Sequence, residues 1–172
     1  MKKQVFTIIL LLSVVTLASA QTQRWAIGFK LGEPTGLNLR KYGDRNALDI
    51  TVGTYGGILG MDRSYRNGSY RNAGVMLNAS YLWYAPLLAE RMTVYTGVGA
   101  QLNSRRYYPD RFSNVGAYTN NISIGPSATA GLEYFSARSA SSYFVEGGTY
   151  VELLPAFLFL SPQISAGIRH NF

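Results

Sequence analysis

The chain has 172 residues, a net charge of +7, 13% aromatic residues and no cysteine. That length suits one domain, and with no thiol to cross-link, its stability must come from the packing of its own elements. Lys2 and Lys3 account for two of the positive charges, leaving +5 on the remainder; in an exported chain such a balance points to anionic lipid head groups and away from nucleic acid.

Met1-Lys2-Lys3-Gln4 is a short basic segment, Val5 to Leu17 is almost uninterruptedly apolar, and Ala18-Ser19-Ala20 has the small-residue pattern of a cleavage site. The expectation is a signal peptide over 1–20, an apolar stretch too short for a spanning anchor. No cysteine follows Ala20 to carry a lipid. Residues 21–172 are expected to form a single domain, and they contain no apolar run approaching the ~20 residues of a spanning helix.

What they contain is period-two alternation, the signature of half-buried strands. The first predicted strand, Arg24–Gly32, sets Trp25, Ile27, Phe29 and Leu31 against Ala26, Gly28 and Lys30. A tight turn is expected at Glu33-Pro34-Thr35-Gly36. The second strand, Leu37–Tyr42, opposes Leu37 and Leu39 to Asn38 and Arg40. After a turn at Gly43–Asn46, the third begins at Ala47 and opposes Leu48, Ile50 and Val52 to Asp49, Thr51 and Gly53.

The stretch 56–74 contains a small duplication, Ser64-Tyr65-Arg66-Asn67 and Ser69-Tyr70-Arg71-Asn72. Asn67-Gly68 between the copies suits a type I′ turn, so strands three and four are expected to continue into a hairpin, with a disordered loop as the alternative. Strand four spans Val75–Tyr84, strand five Met92–Asn103, strand six Asn120–Tyr134 and strand seven Ser142–Leu153, each alternating apolar with polar or small residues. Leu154-Pro155-Ala156 turns the chain into strand eight, where Leu160, Pro162, Ile164, Ala166, Ile168, His170 and Phe172 share one parity. Pro126 and Pro162 fall inside strands and are expected to produce bulges, a lateral opening being the alternative. The run Leu153–Leu160 is apolar on both parities; lipid, a neighbouring protein and packing between loops are its candidate surroundings.

Eight alternating segments with a wet parity and an apolar parity describe an antiparallel up-and-down transmembrane β-barrel, apolar outside. A soluble barrel or sandwich would bury the apolar face instead. With the leader, the eight segments and the closing Ile164-x-Ala166-x-Ile168-x-His170-x-Phe172 strand in view, the chain resembles the small outer-membrane β-barrels of the OmpA/OmpX type, over all of residues 21–172. His170 departs from the aromatic more usual there. The resemblance implies a Gram-negative outer membrane reached through the periplasm. It also implies that Ile164, Ala166, Ile168, His170 and Phe172 are the signal read by the barrel-assembly machinery.

Lys30, Arg40, Asp49, Glu133, Glu146, Glu152 and Arg169 fall on the inward parity. Buried charges need partners, so a salt-bridge network is expected in which Arg40 and Arg169 meet the acids. The long outer loops carry Arg63, Tyr65, Arg66, Tyr70 and Arg71, and Arg105, Arg106, Tyr107, Tyr108 and Arg111. Guanidinium forks suit phosphates and carboxylates, and tyrosines supply rigid contact area. The expected role is therefore non-catalytic: envelope integrity, or surface interaction with lipopolysaccharide, another outer-membrane protein or an extracellular partner. Neither cofactor nor metal is expected. The alternatives are a lipid A-modifying enzyme, which in such barrels uses a histidine near the outer leaflet, and a narrow pore. His170 is the lone histidine and lies at the opposite end; Asp62 and Asp110 are the acids of the two long loops.

Overall fold

Alternation along each segment becomes a closed wall. The computed structural model describes residues 24–55, 63–65, 68–70, 74–87, 91–109 and 119–172; the leader lies outside them. Ten strands follow in order: β1 (Trp25–Glu33), β2 (Thr35–Tyr42), β3 (Asn46–Tyr55), β4 (Arg63–Tyr65), β5 (Gly68–Tyr70), β6 (Gly74–Pro86), β7 (Met92–Pro109), β8 (Thr119–Phe135), β9 (Ser141–Glu152) and β10 (Phe159–Asn171). Eight of them, all but β4 and β5, form an antiparallel cycle in which β1 pairs with β10 and β7 with β8, so the sheet has no free edge. Closure removes the unpaired strand edges that would otherwise invite aggregation.

The two parities face opposite ways throughout. On β1, Trp25, Ile27, Phe29 and Leu31 are exposed while Ala26 and Lys30 are buried; β3 repeats the pattern with Leu48, Ile50 and Val52 outside and Asp49 and Thr51 inside. Among the described residues, seven apolar side chains are buried against nineteen polar or charged ones. That ratio inverts the usual soluble protein, in which apolar side chains are the ones most often buried. Leu37, Val75 and Ile122 are each more than 60% exposed on the outer wall. A soluble sandwich would have buried that face.

The start of β1 and the end of β10 lie at one rim: the N–H of Trp25 donates to the carbonyl of Phe172 at 3.1 Å, and the N–H of Phe172 donates back at 2.8 Å. The short connections 43–45 and 136–140 and the meeting of β6 with β7 share this rim. The opposite rim, called outer below, carries Pro34, the hairpin of β4 and β5, the far ends of β7 and β8, and the loop 153–158.

Several local features differ from expectation. The turn expected over Glu33–Gly36 shrinks to Pro34 alone, because Gly32 takes φ +135° and the Thr35 hydroxyl donates to the Gly32 carbonyl at 2.7 Å. This conformation, open to glycine and strained for other residues, leaves Glu33 buried instead of in a turn. β7 runs on to Pro109, six residues beyond the predicted Asn103, and β10 begins at Phe159, after a six-residue loop. The duplicated segment does form a hairpin, but Tyr65 pairs with Gly68, so Gly68 opens β5 instead of serving as a turn residue. The hairpin also attaches to β7, through Gly68 opposite Pro109 and Ser69 opposite Tyr108.

The two prolines behave differently. Between β8 and β9 the register runs regularly to Ser127 opposite Tyr150, then resumes at Ile124 opposite Leu154. Gly125 and Pro126 there face three residues, Val151, Glu152 and Leu153, a bulge beside Pro126. Pro162 makes no bulge, since the β9–β10 register passes Thr149 opposite Pro162 without a break. Phe172 bonds toward β1, so the even positions of β10 do likewise. The ladder with β1 has already ended at Glu33 opposite Ile164, and the donor missing at Pro162 therefore breaks no rung.

Candidate functional site

The inward parity builds a plug to which every barrel strand contributes. Lys30 comes from β1, Arg40 from β2, Asp49 from β3, Tyr84 from β6, Tyr95 from β7, Glu133 from β8, Glu146 from β9 and Arg169 from β10. Arg40 donates through Nη2 and Nε to Asp49 Oδ2 at 2.9 and 3.2 Å, and through Nη1 to Glu133 Oε2 at 3.2 Å. Arg169 donates through Nη1 to Glu133 Oε1 at 2.9 Å and through Nε to Asn38 Oδ1 at 2.6 Å. Lys30 is ion-paired with Glu146.

Glu133, with 0% exposure, is the hub. Besides the two guanidinium groups it accepts hydrogen bonds from Tyr42 at 2.7 Å, Tyr84 at 2.9 Å and Ser142 at 2.7 Å. Tyr84 also accepts from Arg40, and Tyr95 donates to Glu146 Oε2 at 2.8 Å. Three cations, Lys30, Arg40 and Arg169, thus meet three anions, Asp49, Glu133 and Glu146. A neutral, densely bonded cluster limits the desolvation penalty that a lone charge would incur.

Aromatic rings complete it. The Arg169 guanidinium lies 3.5 Å from the centroid of Phe144, and that of Arg40 lies 4.7 Å from the centroid of Tyr95. Room for these rings comes from glycines. A Cβ on Gly131 would come within 2.6 Å of the Tyr95 ring, and one on Gly167 would meet the Phe144 ring and the Phe29 carbonyl.

Toward the outer rim a second layer of amides and hydroxyls follows. Gln101 Oε1 accepts from Gln163 at 2.8 Å and Asn78 at 3.3 Å, Gln101 Nε2 donates to Asn103 at 3.0 Å, and Asn103 donates to Ser123 at 3.2 Å. Tyr150 donates to Ser123 at 3.0 Å. The cavity bordered by Lys30, Asn78, Gln101 and Gln163 holds ≈ 20 Å³, space for about one water.

Of the inward charges read from sequence, six belong to this cluster. Glu152 stands apart at the outer end of β9, where its Oε1 accepts from the Ala156 N–H at 3.0 Å, and no described ion pair joins it to Arg40 or Arg169. The tyrosines 42, 84 and 95 were not singled out beforehand. The signal was there: Tyr84 and Tyr95 stand on the inward parity of their strands, where a phenol needs a partner.

The outer-loop residues lie elsewhere. Arg63 and Tyr65 are on β4, Tyr70 on β5, and Arg105, Arg106, Tyr107 and Tyr108 on the extension of β7. Arg66, Arg71 and Arg111 lie outside the described residues, as do Asp62 and Asp110. The backbone ladder of β4, β5 and β7 brings the two Arg/Tyr segments side by side. Ile164, Ala166, Ile168 and His170 all face outward on β10, and Phe172 is half-buried at the rim of the termini. His170 pairs across the backbone with Ile27 and Ser141, at the far end from that ladder. Among the described residues, no three His, Asp or Glu side chains gather as a metal site would require.

No protein-family model matches the chain, and no curated protein sequence does. Solved structures do. The N-terminal β-barrel domain of Pseudomonas aeruginosa OprF superposes with a TM-score of 0.62 at 11% identity, over 86% of this chain and 95% of that one. Neisserial surface protein A superposes with a TM-score of 0.55 at 14% identity, over 86% and 93%. At these identities the likeness is one of fold, and the fold is that of the small eight-stranded outer-membrane barrels.

Proposed function

We propose that this chain is an integral barrel of a Gram-negative outer membrane with a closed lumen and a non-catalytic role, acting through the Arg/Tyr ladder on its outer rim. The membrane assignment is supported by the inverted wall, apolar toward its surroundings and polar toward its axis. The closed lumen is supported by Arg40, Arg169 and Glu133, each at most 1% exposed, across the axis. Purified protein in a planar bilayer is expected to show no steady open conductance; a large, stable conductance would overturn the filled lumen and favour the pore.

The observation that carries the interaction role is the ladder of β4, β5 and β7, which unites two Arg/Tyr-rich segments beyond the barrel wall. Clustered guanidinium groups favour polyanions, and lipopolysaccharide phosphates are the nearest such ligands at that rim. Replacing Arg63, Arg66, Arg71, Arg105 and Arg106 together by alanine is expected to weaken lipopolysaccharide binding and flatten its salt dependence. Unchanged binding and salt dependence would sink the interaction role while leaving the closed barrel intact. Insertion by the barrel-assembly machinery through the β10 pattern belongs to the same proposal.

A further inference from the structure

The loop 153–158 between β9 and β10 belongs to neither the plug nor the Arg/Tyr ladder. It is unusually apolar: from Leu153 to Gln163 there is no charged residue. Its side chains do not turn inward. Leu154 is 64% exposed, Phe157 76% and Leu158 63%, and Leu160 at the start of β10 is 58% exposed. Packing between loops, one of the surroundings open to this run from sequence, would have covered them.

The loop is nevertheless well tied. The Leu153 N–H donates to the Ile124 carbonyl at 3.0 Å, the Ile124 N–H donates to the Leu154 carbonyl at 3.0 Å, and Ala156 is held by Glu152. Phe159 donates to the Ala156 carbonyl at 3.2 Å, and Pro155 has no N–H to satisfy. Backbone groups paired in this way lower the cost of leaving water.

Its level on the wall is decisive. Leu154 pairs beside Ile124, whereas β8 starts at Thr119, five residues nearer the outer rim. At about 3.4 Å per residue, the β7–β8 wall rises some 17 Å further along the strand than the point where the loop begins. The neighbouring outward residues there are Ile122, Ile124 and Leu160, all exposed and apolar. The loop therefore continues the apolar belt sideways and does not project above it.

We propose that the loop 153–158 is a lipid-inserted element, with Leu154, Phe157 and Leu158 seated in the acyl chains just beneath the outer-leaflet head groups. The inference rests on the membrane reading above. Its occupant is hydrocarbon because the surface it continues faces hydrocarbon and because no polar or charged side chain on the loop offers a protein partner a directional contact. The apolar girdle is then taller on the β8–β10 side than on the β1–β2 side, where the outward apolar run ends at Leu31 and begins again at Leu37.

The test uses single-tryptophan proteins. In a background with Trp25→Phe and Trp83→Phe, Phe157→Trp, Ile50→Trp and Arg138→Trp report the loop, the middle of the wall and the water-exposed turn at the other rim. Each is folded into phosphatidylcholine vesicles with or without bromine at both the head-group end and the middle of the acyl chains. The expected result is blue-shifted Phe157→Trp emission, lost to brominated lipid as fully as that of Ile50→Trp, with Arg138→Trp unaffected. If Ile50→Trp is quenched and Phe157→Trp is not, the loop proposal fails and the membrane reading stands; if neither is quenched, the membrane reading fails. Blue-shifted but unquenched Phe157→Trp emission that disappears on diluting protein in lipid would assign the surface to a second copy and overturn the proposal. Should Phe157→Trp not fold, Leu158→Cys carrying an environment-sensitive fluorophore reads the same depth, since the chain has no other thiol.

Discussion

Replacing Glu133 by alanine is expected to lower the unfolding free energy of the lipid-reconstituted barrel by roughly 3–5 kcal/mol, the cost of removing one partner from a buried ionic cluster. The size follows from what is left behind. Glu133 takes hydrogen bonds from Arg40, Tyr42, Tyr84, Ser142 and Arg169. Without it Arg169 keeps Asn38 and a 3.9 Å approach to Glu146, while its Nη2 already lacks a hydrogen-bond partner. The neutral balance of the plug shifts to one net positive charge, buried near the axis. Ser142→Ala, which deletes one donor and strands no charge, is the control and is expected to cost about 1 kcal/mol. Denaturant unfolding in vesicles, followed by tryptophan fluorescence, measures both. A loss for Glu133→Ala no larger than that for Ser142→Ala would mean that water enters the lumen and solvates the arginines, and the filled interior would have to be abandoned.

An arginine at Ile50 is expected to cost about 2–4 kcal/mol in vesicles, whereas an arginine at Val75 is expected to cost about 0–1 kcal/mol, because the penalty on a lipid-facing wall depends on depth. Ile50 lies midway along β3, paired with Leu39 and Ala79, while Val75 lies one residue from the outer end of β6. Their exposures, 46% and 67%, would make both substitutions mild in a water-soluble barrel. The contrast between the two sites, measured by the same unfolding assay, therefore reports the surroundings of the wall. Equal and small costs at both would remove the membrane reading. Equal and large costs would mean that the hydrocarbon reaches to Val75, placing the outer rim deeper than its loops imply.

How much could be read in advance differs from residue to residue. Leu48, Asp49, Ile50 and Thr51 declare their faces by position alone, because successive strand side chains point to opposite sides and only one side meets lipid. The same logic marked Lys30, Arg40, Glu133, Glu146 and Arg169 as inward. It stopped at the edge of the lipid. Arg105 to Tyr108 extend β7 by backbone pairing alone, since the alternation that declares a strand stops at Asn103. Glu33 was misplaced because one positive φ at Gly32 reverses the parity that counting by twos assumes. Asn67-Gly68 reads as a turn pair, yet Gly68 is a strand position, opposite Tyr65 in the hairpin and opposite Pro109 on β7.

Period-two alternation was enough for the class of this protein: a barrel chain, apolar on one parity and polar or small on the other, whose inside must be satisfied. Which groups satisfy which emerges from the closed barrel. Glu133 meets Arg40 from 93 residues away and Arg169 from 36, and Lys30 meets Glu146 from 116. Alternation is a local property of the pleated backbone and is written into every strand. Partnership across a lumen depends on how the closed sheet sets opposing strands against one another, and that exists only once β1 has paired with β10.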